Sequence, residues 1–144
     1  MEFLIILVVL SFLIGTISFA LPSKSSREIS KLRMNASRMG FKISSSNIGQ
    51  NSFKNKDVNL MIYSFNNKTN LKEAHFIRDK DELILYSPLK LKYSDGYDEI
   101  KSKLNSLSPH VIEIMFSSSF IAFIWREKAG IDELEKILNL LKIF

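Results

Sequence analysis

Residues 110–125 read HVIEIMFSSSFIAFIW, the most apolar stretch of the chain outside its N-terminus. Two structures compete for such a stretch, a membrane span and a buried hairpin. The run from Val111 to Trp125 is about 15 residues, short of the roughly 20 that a spanning helix needs, and it carries Glu113 with three serines at its middle. A hairpin accommodates all three features. His110 to Phe116 and Phe120 to Trp125 become antiparallel strands joined at Ser117-Ser118-Ser119, and the unbroken apolar run of Phe120 to Trp125 marks a central strand buried on both faces. The domain is therefore built around a sheet.

On the C-terminal side, Gly130 and Asp132 open a helix whose buried face is Ile131, Leu134, Ile137, Leu138, Leu141 and Phe144. On the N-terminal side, Ser94-Asp95-Gly96 turns into a helix with Tyr97, Ile100, Leu104 and Leu107 at steps of three, four and three, ended by Ser108-Pro109. Further back, Val58 to Phe65 alternates as a strand, and Asn66 to Asn70 supplies turn chemistry. Lys72 to Arg78 is the next strand, with Ala74 and Phe76 on one face and His75 and Ile77 on the other. Asp79-Lys80-Asp81 reverses the chain into Leu83 to Tyr86. Beyond Pro88, Leu89, Leu91 and Tyr93 alternate with Lys90 and Lys92, the pattern of a half-exposed edge strand. Phe41-Lys42-Ile43 opens a first strand, and Ser44 to Asp57, rich in Ser, Asn and Lys, reads as a mobile loop. The expected fold is α+β: an antiparallel sheet of five or six strands, with the helices of 97–107 and 131–143 on one face.

Ahead of this domain lies Phe3 to Leu21, an apolar run without a charge. At about 1.5 Å per residue it crosses a hydrocarbon core of roughly 30 Å when nearly upright. Its hydroxyl side chains, Ser11, Thr16 and Ser18, can bond the helix's own carbonyls. Ser18-Phe19-Ala20 has the small-x-small form that signal peptidase cuts, but Met1-Glu2 supplies no basic n-region and the run exceeds the usual signal core. Uncleaved, it is an anchor. Residues 22–43 hold six basic side chains against the single acid Glu28, whereas residues 44–144 hold fourteen against thirteen acids. The surplus thus flanks the apolar run, and the positive-inside rule places that flank in the cytoplasm and the N-terminus outside. The localisation expected is the inner (plasma) membrane, single-pass, a layout common among bacterial single-pass proteins.

Pro22 breaks the first helix. Ser25 and Glu28 form a capping-box pattern for a second one, which Gly40 ends as a left-handed residue. Its apolar residues Ile29, Leu32, Ala36 and Met39 fall within about 80° of arc, and Lys24, Arg27, Lys31 and Arg38 cluster within about 60° elsewhere. Those four cations are the candidate contacts to anionic lipid headgroups, although topology alone, as the positive flank of a span, explains most of the charge; the two uses are not exclusive. The domain plan is an anchor at 1–21, a basic juxtamembrane helix at 22–40 and an α+β domain at 41–144.

Motifs for chemistry are scarce. The chain has no cysteine, hence no disulfide or thiolate site. His75 and His110 stand on separate strands without metal-type spacing to a carboxylate, and the glycines form no phosphate loop or dinucleotide fingerprint. Asp79, Asp81 and Glu82 read as a solvated hairpin turn, and Asp95 and Asp98 as helix-capping residues. Trp125 reads as a core-closing indole with its N–H outward. Asn35-Ala36-Ser37 and Asn67-Lys68-Thr69 match the glycosylation pattern only weakly. No nucleic-acid surface is indicated, since the basicity does not lie on the folded domain. The expectation is a membrane-anchored interaction or assembly module with no cofactor, metal or catalytic residue, its partners the bilayer through residues 3–21 and a membrane or cytoplasmic protein. The competing expectation is an exported binding or hydrolytic domain, cleaved after Ala20.

Overall fold

The computed structural model describes residues 1–45, 53–57 and 59–144. Helix α1 spans Glu2–Ala20 and α2 spans Lys24–Arg38. The strands are β1 (Lys42–Ser45), β2 (Met61–Asn66), β3 (Ala74–Asp79), β4 (Glu82–Ser87), β5 (Val111–Phe116) and β6 (Phe120–Trp125). Helix α3 is Tyr97–Asn105 and α4 is Ile131–Leu141.

All strand pairs are antiparallel, in the order β1-β2-β6-β5-β3-β4. The 110–125 stretch is the hairpin β5–β6 at the centre of this sheet, with Trp125 opposite Val111 and Ile121 opposite Phe116. Its serine turn is closed by Ser117 N–H donating to the Phe120 carbonyl. β6 lies between β5 and β2, and Ile121 through Trp125 are all buried. Alternation sends Ile121, Phe123 and Trp125 to one face and Ala122 and Ile124 to the other.

The first face holds the main core. There Tyr63, Phe76, Ile114, Phe116 and Phe123 pack under Leu104 of α3 and Leu134, Ile137 and Leu141 of α4. Helix α2 belongs to the same layer, because Leu32 and Ala36 of its apolar stripe are buried in this core. It starts earlier than its capping-box pattern suggests. Ser23, directly after Pro22, is the N-cap and accepts from the Ser26 amide at 3.2 Å. Gly40 closes it with φ 94°, the Gly40 amide reaching the Ser37 carbonyl and the Phe41 amide the Ala36 carbonyl, the paired bonds of a Schellman ending.

Three sequence expectations are corrected. Leu89–Tyr93 is a 3-10 turn, not an edge strand, held by Leu91 N–H to the Pro88 carbonyl and Ser94 N–H to the Leu91 carbonyl. Only Leu91 of its three apolar residues tucks against the core, so alternation there does not reflect a two-faced strand. Ser44 and Ser45 extend β1, Phe53 is buried, and the Lys54 and Asn55 amides bond the Glu113 carboxylate, while Lys54, Lys56 and Asp57 have exposed side chains; the rest of the expected loop, 46–52, and Val58 lie outside the described residues. The indole of Trp125 is wholly buried, and its N–H finds no acceptor among the described residues.

Candidate functional site

The apolar helix α1 buries none of its side chains, and Ser11, Thr16 and Ser18 each donate a hydroxyl to a carbonyl of the helix itself. It is long and apolar enough to cross a membrane, a property that a signal sequence at the same position shares. Leu21, Pro22 and Ser23 are all that separate it from α2.

Lys24, Arg27, Lys31 and Arg38 are exposed, and none forms an ion pair among the described residues. Arg33 stands apart from them, about half a turn away on the wheel, and its role differs. Its Nε and Nη2 donate to the two carboxylate oxygens of Glu127, both at 2.8 Å. The Tyr63 hydroxyl donates to the same Oε1 at 2.6 Å. Glu127 lies in a 3-10 turn, Glu127–Ala129, between β6 and α4, so this three-residue clasp fixes α2 to the sheet and to the start of the last helix. Burial disfavours the Glu127 charge, but the bonds from Arg33 and Tyr63 and the guanidinium charge outweigh it and hold the carboxyl below its ordinary range. The bond to Glu127 raises the Arg33 pKa against the opposing effect of burial. Burial, then donation to Glu127, drives the Tyr63 hydroxyl upward, so the phenol stays protonated at neutral pH.

Beside the clasp a groove of about 570 Å³ runs between α2 and the 3-10 turn with the first residues of α4. Ile29, Leu32 and Ile131 give it an apolar floor, and Glu28, Lys31 and Lys128 supply charges at its rim.

A second polar cluster occupies the opposite face of the sheet. The β3–β5 register sets His75 opposite Met115 and Ile77 opposite Glu113, which makes His75 and Glu113 diagonal neighbours on that face. Glu113 is 0% exposed. Its Oε1 meets His75 Nε2 at 2.5 Å and accepts the Lys54 amide at 2.7 Å, and its Oε2 accepts the Asn55 amide at 2.9 Å. Burial opposes the charge on Glu113, yet the bonds from His75 and the two amides, together with the imidazole's charge, bring the net pKa below the usual carboxylate value. Phe53 covers this side of the sheet by packing with Ile62, Ala122 and Ile124. The Tyr86 ring lies 5.2 Å from that of His75, and Lys54 Nζ stands 4.7 Å over Tyr86. Toward the β4 edge the face is open, with Ile84 and Tyr86 about half exposed.

Chemically the His75–Glu113 pair resembles the orienting half of a catalytic dyad, but every donor it receives serves to hold residues 53–55 on the sheet. Among the described residues no cluster of three or more histidines, aspartates and glutamates has a metal-binding arrangement. The acids Asp79, Asp81 and Glu82 are exposed around the β3–β4 turn. His110 is half-buried ahead of β5 and remote in register from His75. Asn67 is buried, its amide nitrogen donating to the Leu71 and Ser117 carbonyls at 2.8 and 2.6 Å, so that amide serves the β2–β3 connection and is not free for a sugar. Sequence spacing gave no sign of Glu113 meeting His75 or of Arg33 meeting Glu127, because both pairs are brought together only by register and helix docking. A charged residue in the middle of the apolar strand β5 was the one available hint.

No protein-family model matches this chain, and neither a curated protein nor a solved structure shows significant similarity to it.

Proposed function

We propose that this chain is a single-pass membrane-anchored protein, N-terminus outside, whose α+β domain works at the cytoplasmic face as a protein-interaction or assembly module. The observation that carries this reading is the joining of two unlike parts within three residues: an apolar helix with no buried side chain, and a basic-faced helix clasped to the domain core. Such a connection limits how far the domain can move from its anchor, and confinement to one membrane raises the effective concentration of any partner held there. The sheet face toward β4, with Ile84 and Tyr86 exposed, offers a partner an apolar surface rimmed by charge. Crosslinking in native membranes is expected to return a defined heteromeric or homomeric species. Recovery of the monomer alone, in repeated trials with crosslinkers of several lengths, counts against the module.

The second reading is an exported binding or hydrolytic domain. Ser18-Phe19-Ala20 favours it, since this sequence ends α1 immediately before an extended residue, Leu21, with φ −74° and ψ 123°. Intact mass separates the two: the anchored form keeps residues 1–20, and the exported form begins at Leu21.

A further inference from the structure

We propose that the groove between α2 and the start of α4 seats one anionic phospholipid, its phosphate held by Lys31 and Lys128 and an acyl chain lying on Ile29, Leu32 and Ile131. The inference rests on the membrane-anchored reading and adds a ligand to it. Three observations carry it.

Position is the first. Ile29 follows the end of α1 by nine residues, four of them crossing to Lys24 and five on the helix itself. A chain reaches at most about 3.6 Å per extended residue and 1.5 Å per helical one, so Ile29 lies within roughly 22 Å of the end of the apolar helix. The groove is therefore within reach of the headgroup layer. Chemistry is the second. A floor of two isoleucines and a leucine under charged lips has the two-part character of a phospholipid, whereas a free phosphate or sugar phosphate has no use for the floor. The volume of about 570 Å³ falls within the range of small-molecule sites.

Charge is the third. Glu127 also lines the groove, but the Arg33 guanidinium offsets its charge and the Tyr63 hydroxyl donates to it. Lys31 and Lys128 belong to separate elements, are exposed and make no ion pair among the described residues, leaving Glu28 as the single opposing acid. The rim is net positive. This site differs from Lys24, Arg27 and Arg38, which are exposed but line no part of the groove and can meet a headgroup plane without enclosing any one lipid.

The full chain, purified in neutral micelles, is titrated with phosphatidylglycerol or phosphatidylcholine, and bound lipid is counted by native mass spectrometry. One phosphatidylglycerol per chain is expected, with phosphatidylcholine weaker. A lysine at an anionic lipid surface contributes about fivefold, so K31Q/K128Q should weaken phosphatidylglycerol roughly 25-fold. K24Q/R27Q/R38Q should weaken it less than the groove pair does. All five positions are exposed, so folding is preserved in both variants. The proposal is overturned if K31Q/K128Q retains the lipid as the native chain does, if K24Q/R27Q/R38Q has the larger effect, or if glycerol phosphate displaces the lipid. Carbonate extraction of membranes, run in parallel, reads the anchor separately: a chain that stays integral but holds no lipid rejects the groove alone, and a chain that is released rejects the anchor.

Discussion

Replacing Glu113 by Gln alters one atom in a fully buried side chain and makes a sharp test of how the second face of the sheet is held. Both carboxylate oxygens accept hydrogen bonds, from His75 Nε2, the Lys54 amide and the Asn55 amide. The Gln side chain keeps one acceptor oxygen and turns an NH₂ toward a donor that cannot receive it. One bond to a charged acceptor, worth about 1.5–3 kcal/mol, is lost, and an unmatched buried donor adds a penalty of about 1–3 kcal/mol. The expected destabilisation is about 3 kcal/mol, or a fall in Tm of roughly 10–15 °C for a domain of this size. Glu113→Ala leaves all three donors unpaired and opens a void, for about 3–5 kcal/mol. Urea unfolding of the full chain in neutral micelles, followed by the fluorescence of Trp125, the one tryptophan, measures both. The pH dependence carries a second signature. The folded pKa of Glu113 lies below its ordinary value of 4.5, so its contribution is complete above that value and is lost as pH falls through the folded pKa. The stability gap between the native chain and Glu113→Gln should therefore be constant near neutrality and shrink below about pH 4.5. A loss under about 1 kcal/mol at neutral pH, or a gap that widens on acidification, would refute the reasoning.

Further predictions concern the clasp and the helix end. Glu127→Gln should cost about 1–2 kcal/mol, and a double-mutant cycle with Arg33→Met should show coupling between the two residues, reduced by salt because the Arg33 side chain is 35% exposed; independent effects would contradict the clasp. Phe53→Ala should cost about 3 kcal/mol and speed hydrogen exchange at the Lys54 and Asn55 amides before global unfolding, and unchanged exchange there would show that Phe53 does not hold that segment. Gly40→Ala forces a side chain into φ 94° and should cost about 1–2 kcal/mol in thermal unfolding, whereas a neutral effect would mean that the helix ends in some other geometry.

The parts of the fold that were legible in the sequence are those where one strong local pattern coincides with burial. The hairpin at 111–125 follows from its length, its serine turn and Glu113, and the helices at 97–105 and 131–141 follow from apolar steps of three and four. Gly40 announces the end of α2 because only a residue without Cβ takes a left-handed C′ position at no cost. Leu89–Tyr93 misled because a short alternating run fits a strand and a 3-10 turn equally, and only the tertiary packing of Leu91 decides. Phe53 was hidden for a related reason: a lone aromatic in a polar stretch has no periodicity, so its burial appears only when the opposite face of the sheet is seen to carry no helix among the described residues. Of the candidate site, the exposed cations Lys24, Arg27, Lys31 and Arg38 could be read from the helical wheel. The exclusion of Arg33 from that stripe was also legible, but its partner Glu127 was not, since it lies 94 positions away. Lys128 joins Lys31 at the groove for the same non-local reason.

The central claim is that α1 remains as an anchor and that the domain stands in the cytoplasm. The most direct measurement fuses a dual reporter after Phe144, one half active only in the cytoplasm and the other only beyond the membrane. Cytoplasmic activity is expected from a membrane-bound fusion that still contains residues 1–20. Activity on the far side of the membrane, or a fusion whose N-terminus is Leu21, would contradict it.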